Sequence, residues 1–524
     1  MGIPSYYKKL IDTVQGLVLQ RHPDETIDWL FMDFNCLIYH CLYQKDMPAY
    51  PGTTEQDAWE KDFMERIVHY ALHVIRQVQP ATGVYIAIDG VVPMAKMRQQ
   101  RLRRFKSVWL TQHSEDSVQK EKWDTNAITP GTAFMKKLRS RLERMVKEEG
   151  NCQFSSSDEP GEGEHKIMEQ WRTGNYHGNM AVYGLDADLV VLSILGHTLC
   201  PTIERVWLFR EEMVSGSIAY DEHGTTQFEW FSIDSLSQWL SSSYSDDEKR
   251  SFLLDYCFAM SILGNDFLPS SLGLKIREDG HSELLSVLHF LREQKVSLIC
   301  PESHRINMKG LTTLFSHLAE TEASRIQKYI GKKQSMASYT GDLLRIGENN
   351  WPLAHVEESL LMEGRFLAPQ WKEKYMSSFL GQTYDKWGKY NVCTEYLYGI
   401  QWVWAYYLGH SKDVCFNWFY PSSVPPLWEW IRDFLTTNSL PTFPGMIYVS
   451  AHDIRPVEQL ALVLPLESWD LIPSCKEKQL PLIAPHLYPT SFSFDSVGKR
   501  FFWECESMIP IPSMVEVKEL LSSV

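Results

Sequence analysis

The chain has 524 residues, 44% of them hydrophobic and 13% aromatic, with 18 tryptophans. That apolar content supplies a large core and excludes disorder as the dominant state, and the length corresponds to about two to four domain equivalents. Lys and Arg number 51 against 66 Asp and Glu, a formal net charge of −15, which argues against a nonspecific polyanion binder. The N-terminal stretch Met1 to Leu10 is polar, so no secretory signal is expected. The longest apolar run, Leu189 to Leu195, contains Ser193 and falls short of the ~18 residues of a membrane span, so no membrane is expected. The 10 cysteines include no CxxC pair and read as reduced thiols of a cytosolic-type compartment.

In chain order, residues 27–34 (IDWLFMDF), 83–88 (GVYIAI) and 180–185 (MAVYGL) read as short buried strands. Residues 58–79, 92–110, 132–148 and 163–173 read as helices between and after them. Such alternation predicts an α/β fold with a parallel sheet. The second half reads differently. Residues 251–263, 281–295 and 310–330 predict helices, residues 331–352 are polar and read as a linker, and Tyr390 to Trp430 is rich in aromatics. No internal repeat and no low-complexity tract is present.

Each predicted strand ends in an acid: Asp33, Asp89, and Asp186 with Asp188 two residues on. In an open parallel sheet the carboxyl ends of the strands form the ligand crevice. Several acids there repel one another and are poorly solvated unless a cation neutralises them, and hard oxygen ligands select Mg²⁺ or Mn²⁺. Any single Asp has an alternative use as a helix cap. Glu162 and Glu164, in the Gly-containing turn that opens helix 163–173, and Asp266, in Gly264-Asn265-Asp266 after an apolar helix, bring the set to seven. A set of that kind suits phosphoryl transfer with two metal ions.

One segment opposes the acidic trend. Lys96 to Lys106 (KMRQQRLRRFK) holds six Lys/Arg and no acid, and it begins shortly after Asp89. At helical spacing Lys96, Gln100, Arg103 and Arg104 share one face, as a terminal phosphate requires. Arg98 and Arg101 point elsewhere, toward a phosphodiester backbone or only water. No GxxxxGK[ST] occurs, which argues against a P-loop motor.

At these residues the sequence resembles the Xrn family of 5′→3′ exoribonucleases. The stretches that carry the resemblance are MGIPSYYKKL, FMDFNCLIYHC, VYIAIDGVVPMAKMRQQRLRRFK, DEPGEGEHKIM, VYGLDADLVVLS and ILGNDFLPS, continuing through YLYGIQWVWAYYLG, NWFYPSSVPP and YPTSFSFDSVGKRFFWE. The resemblance implies a PIN/flap-nuclease-like core over residues 1–345 and a mostly helical, aromatic-rich region over 346–524 that closes the pocket. It implies hydrolysis of single-stranded RNA from a 5′-monophosphate to nucleoside 5′-monophosphates, in mRNA decay, with two Mg²⁺ or Mn²⁺ ions. Residue by residue, Asp33, Asp89, Glu162, Glu164, Asp186, Asp188 and Asp266 match the family's metal-site acids. Lys96, Gln100, Arg103 and Arg104 match its 5′-phosphate pocket.

The sequence departs from the family pattern at three places. Tyr39 stands where the family usually has His, with His40 next to it, and an aromatic face there still stacks bases. The PRAKM pattern reads Pro93-Met94-Ala95-Lys96-Met97, and HYAP reads Ser422-Ser423-Val424-Pro425. Relatives stack RNA on a Trp of this region, for which Trp402 and Trp418 are the candidates. The chain stops before the long C-terminal extensions of large members, so a minimal, monomeric, cytoplasmic form is expected, with a nuclear location left open. RNA against DNA is not decided by these residues. The competing readings are a flap-type DNA nuclease, a metal-dependent phosphatase, and a catalytically silent RNA-binding protein.

Overall fold

The computed structural model describes residue 3 and residues 5–113, 122–214, 216–337, 355–410, 413–442 and 448–523. Its centre is a seven-stranded sheet of β1 (Val18–Leu19), β2 (Trp29–Asp33), β3 (Gly83–Ala87), β4 (Cys152–Ser155), β5 (Gly178–Tyr183), β6 (Ile203–Glu211) and β7 (Phe228–Ser232). The spatial order is β1-β7-β6-β5-β2-β3-β4. The five strands from β6 to β4 are parallel, while β7 joins β6, and β1 joins β7, in antiparallel fashion.

The inner strands read as unbroken apolar runs because both faces are covered. Successive side chains point to opposite faces. Leu30 and Met32 of β2, with Val84 and Ile86 of β3, face a core shared with α2 (Asn35–Leu42), α3 (Gln56–Val78) and α5 (Ala133–Glu149). Phe31, Tyr85 and Val182 face the other way, into a core shared with α6 (Gly163–Thr173) and α7 (Asp188–Leu199) that runs on into the helical second half.

The three expected inner strands and the helices between them are present. The outer strands β1, β4, β6 and β7 were not anticipated. β4 has only four residues and half-exposed side chains, so it shows no apolar run, and in β6 the short run Val206–Phe209 follows the charged pair Glu204-Arg205. The expected helix over 251–263 starts earlier, at Asp246, because Ser245 and Glu248 form a reciprocal capping box. α11 (Met308–Ala337) continues through residues 331–337, the first part of the expected linker. The rest of that linker and the division at 345/346 lie outside the described residues.

The second half is helical, with α13 (Lys386–Leu408), α14 (Trp428–Thr437) and α15 (Pro456–Val463) among its elements. It folds around α4 (Met94–His113). Arg101 is fully buried, and its guanidinium donates to three carbonyls: Leu462 at 2.6 Å, Pro510 at 3.0 Å, and Leu487. Lys106 donates to the carbonyls of Trp503 and Cys505, and Arg98 pairs with Glu506 at 2.9 Å. Arg101 therefore faces the chain's own interior, not a substrate backbone or water, and Arg98 is held by the C-terminal segment. Among the described residues no helix is long and apolar enough to cross a membrane.

Candidate active site

The chain passes from β2 to β3 and β4 on one side, then returns to β5 on the other side of β2. The crevice at such a reversal, beyond the carboxyl ends of the strands, is the ligand position of open α/β sheets. Asp33 closes β2, Asp89 follows β3, and Asp186 and Asp188 follow β5. Glu162 caps α6 and Glu164 lies in its first turn, where the helix end favours negative charge. Asp266 comes from the loop after α9 (Asp246–Ala259) and its trailing turn Met260–Leu263. Gly163 allows α6 to start this close to β2. A Cβ there would lie 2.5 Å from Asp33 Oδ1 and 3.0 Å from the Ala87 carbonyl oxygen.

The seven acids gather at this edge in unequal ways. Ligand atoms of Glu164, Asp186 and Asp188 lie within 4.8 Å of one another, as do those of Glu162, Glu164 and His165. Asp89 accepts from the Gly163 amide at 2.7 Å and from Asn35 Nδ2 at 3.0 Å. Asp266 accepts from Lys96 at 2.7 Å and from Gln99 at 2.6 Å. Glu162 takes Lys96 at 2.7 Å and the Tyr406 hydroxyl at 2.9 Å. The Lys96 ammonium thus bridges Glu162 and Asp266 inside the acid cluster.

Burial, then repulsion from Asp89, Asp186 and Asp188, holds Asp33 well above the usual carboxylate range. Burial and Asp188 do the same to Glu164, and burial with Asp186 and Asp266 pushes Asp188 up to about 7. Glu164 Oε2 and Asp188 Oδ1 are buried acceptors without a partner among the described residues. This oxygen-donor set, with unpartnered acceptors and acids raised by one another, fits a hard divalent cation.

Six of the seven acids, all but Asp188, line a cavity of about 690 Å³, and Lys96, Gln100, Arg103 and Arg104 of α4 line the same cavity. Arg104 is buried, its Nη1 has no partner among the described residues, and burial holds its guanidinium down to about 10. Gln100 Oε1 is likewise unpartnered. The four residues of the expected phosphate face therefore stand together beside the acids.

Of the base-stacking candidates, Tyr39 and His40 line the cavity. His40 also packs on Tyr70, with ring centroids 4.3 Å apart. Trp402 and Trp418 do not fit the expectation. Each is 1% exposed, they pack on each other at 5.1 Å, and neither lines this cavity, so no face is left for a base.

The sequence reading missed several site residues. Asn35 holds Asp89 both ways, also accepting from its amide at 3.1 Å. Gln99 lies three residues beyond Lys96 on α4, a spacing that was readable. The ring of His165 lies against Tyr406 at 3.8 Å, and burial keeps its imidazole neutral. Tyr43, 72% exposed, and Tyr220 add aromatic faces to the cavity rim.

Two family models match the chain: one described as the XRN 5′-3′ exonuclease N-terminus, over residues 1–211, and one as the Xrn1 helical domain, over residues 353–524. The 5′-3′ exoribonuclease 1 of Schizosaccharomyces pombe is 24% identical over all of this chain and 48% of its own length. The Homo sapiens 5′-3′ exoribonuclease 1 is 26% identical over all of this chain and 34% of its own length. The 5′-3′ exoribonuclease 2 of Eremothecium gossypii is 30% identical over 63% of this chain and 42% of its own length. The chain thus spans less than half the length of these relatives. The first model covers six of the seven acids and the phosphate face, the second covers Tyr406 and the segment clamped by α4, and with the full-length similarity they place the chain in the Xrn family.

Proposed function

We propose that the protein is a 5′→3′ exoribonuclease that hydrolyses 5′-monophosphorylated single-stranded RNA to nucleoside 5′-monophosphates. The observation that carries this reading is one cavity lined by both the acid cluster and Arg104, a buried cation whose Nη1 lacks a partner among the described residues. Anchoring the terminal phosphate there sets a fixed reach to the acids, so each cut releases one nucleotide. RNA as the polymer is carried over from the relatives, which are 5′-3′ exoribonucleases by name.

Two Mg²⁺ or Mn²⁺ ions held by Glu164, Asp186, Asp188 and their neighbours would activate water at neutral pH and stabilise the charge of an in-line displacement. Arg104, Arg103 and Gln100 bind the terminal phosphate through charge-assisted hydrogen bonds. Lys96 fixes Glu162 and Asp266 beside it. Asn35 and the Gly163 amide orient Asp89, and Tyr406 orients Glu162. Tyr39, Tyr43 and Tyr220 offer faces on which any base stacks. Residues 1–345 carry the acids and 346–524 close the pocket around α4. Every group needed comes from one chain, so a monomer suffices.

The test is digestion of matched RNA and DNA strands bearing 5′-monophosphate, 5′-hydroxyl or 5′-triphosphate, together with a circular RNA. Mononucleotides from the monophosphate RNA alone are expected. Rapid cutting of the circle, or equal rates on all three ends, would refute an end-anchored exonuclease.

A further inference from the structure

A second cavity, of about 400 Å³, lies against the first. Gln99, Arg103 and Asp266 line both and form the shared wall. The second cavity is lined by seven basic and four acidic side chains, a positive excess in a chain of net charge −15. Its acids are taken: Glu278 by Arg500, Glu504 by Arg277, Glu506 by Arg98, and Asp266 by Lys96. Lys275 and Lys106 form no ion pair among the described residues. The Lys275 ammonium donates to Ser270 Oγ at 2.9 Å and lies 5.3 Å from the centre of the Tyr329 ring. The Tyr329 hydroxyl is buried there without a partner among the described residues. Tyr420 and Trp503 add aromatic surface to the lining.

A third cavity, of about 870 Å³, shares Arg98, Tyr420, Ser422, Ser423 and Val497 with the second. It is lined by one basic and two acidic side chains. Three cavities therefore stand in series from the acid cluster outward, and the middle one is the member suited to an anion. An ammonium group outside any ion pair and a hydroxyl without a partner, both among the described residues, together with aromatic surface, are the complement of a phosphate monoester attached to a flat base.

We propose that the middle cavity binds a free nucleoside monophosphate, its phosphate on Lys275 and its base against Trp503, as a station for product leaving past Gln99, Arg103 and Asp266. The station's role as a product site rests on the proposed exonuclease activity, while the binding itself does not. Burial, reinforced by Lys499, lowers Lys275 to about 8, which leaves it mostly protonated at neutral pH and responsive to an arriving anion.

The test is calorimetric titration of the full chain with adenosine 5′-monophosphate, and separately with inorganic phosphate. Wild type is expected to bind two equivalents of the nucleotide. Lys275→Gln should weaken one site by about tenfold, the loss of one charge-assisted contact, and leave the other. Trp503→Ala, at a side chain that is 41% exposed and so tolerant of change, should weaken the same site. One nucleotide site that Arg104→Met abolishes and Lys275→Gln leaves intact would overturn the proposal. Phosphate binding as tightly as the nucleotide, with Trp503→Ala silent, would overturn the nucleotide as ligand. If RNA is not degraded yet Lys275-dependent binding persists, the exonuclease reading fails and the site stands. If RNA is degraded to mononucleotides and Lys275→Gln changes no binding, the site fails alone.

Discussion

Replacing Arg104 by Met keeps the stem volume and removes the charge. Arg104 is 8% exposed and Nη1 has no partner among the described residues. Burial lowers its guanidinium to about 10, so it stays charged at neutral pH at a cost to the free protein. At ~1.4 kcal/mol per tenfold, that lowering from the ordinary value costs about 3 kcal/mol. Arg104→Met should therefore raise folding stability, by about 1–3 kcal/mol, while it harms function. On the functional side, a charge-assisted hydrogen bond to a phosphate is worth ~1.5–3 kcal/mol, so kcat/KM on 5′-monophosphate RNA should fall roughly ten- to a hundredfold. A 5′-hydroxyl RNA has no such contact to lose and should be cut at its unchanged, slower rate. The assay compares kcat/KM for both ends at two salt concentrations, with urea unfolding of both proteins. Equal losses on both ends, scaling with salt, would describe backbone attraction instead of end anchoring and would refute the reasoning.

Asp188→Asn removes an oxygen ligand from the group it forms with Glu164 and Asp186, so turnover should fall by ~10³ with RNA binding kept, measured by single-turnover digestion and filter binding. In wild type Mg²⁺ should raise the melting temperature, ~2.7 kcal/mol at a hundredfold excess over Kd, and Asp188→Asn should blunt that rise; equal rises in both would remove Asp188 from the cation site. Arg101→Met strands three buried carbonyls, and loss of about 3 kcal/mol or more is expected by urea unfolding, against ~0.5 kcal/mol if the guanidinium is dispensable. His281, held down to about 4 by burial and 2.8 Å from the Tyr256 hydroxyl, is neutral when folded. Its folded value is depressed, so its contribution is full above pH ~6.5 and is lost as pH falls toward 4, up to about 3 kcal/mol. His281→Gln should flatten that part of the stability–pH curve, and an unchanged slope would show that other groups carry it.

Asp33, Asp89 and Asp186 were legible because burial on both sheet faces makes each inner strand a short apolar run that ends at the crevice, so an acid at its end stands out. The phosphate face was legible because helical spacing alone places Lys96, Gln100, Arg103 and Arg104 together. The same helix misled for Arg101, since a fully buried guanidinium satisfied by three carbonyls has the local sequence of a nucleic-acid contact. Trp402 and Trp418 misled for a related reason: aromatics in a helical region serve a core as readily as a stack of bases, and only packing separates the two. Tyr406 carried no signal at all. It reaches Glu162 across 244 positions of sequence, a contact that depends on the whole second half folding back.

The geometry of α4 explains why that folding back matters for chemistry. Arg101 lies ~140° around the helix from Lys96 at 100° per residue, so residues facing the cavity and residues gripping the C-terminal segment occupy different sides of one rod. The Arg101 guanidinium cannot be left unpaired in the interior, and its acceptors come from positions 462, 487 and 510. The phosphate face is therefore seated only when that distant segment is in place behind it. Met94 adds a second tie at the start of the helix, donating its amide to the Phe416 carbonyl at 2.8 Å. Removal of the segment that supplies these acceptors should then lower end recognition even though no residue of the cavity is deleted, because α4 loses the contacts that fix its position against the acids.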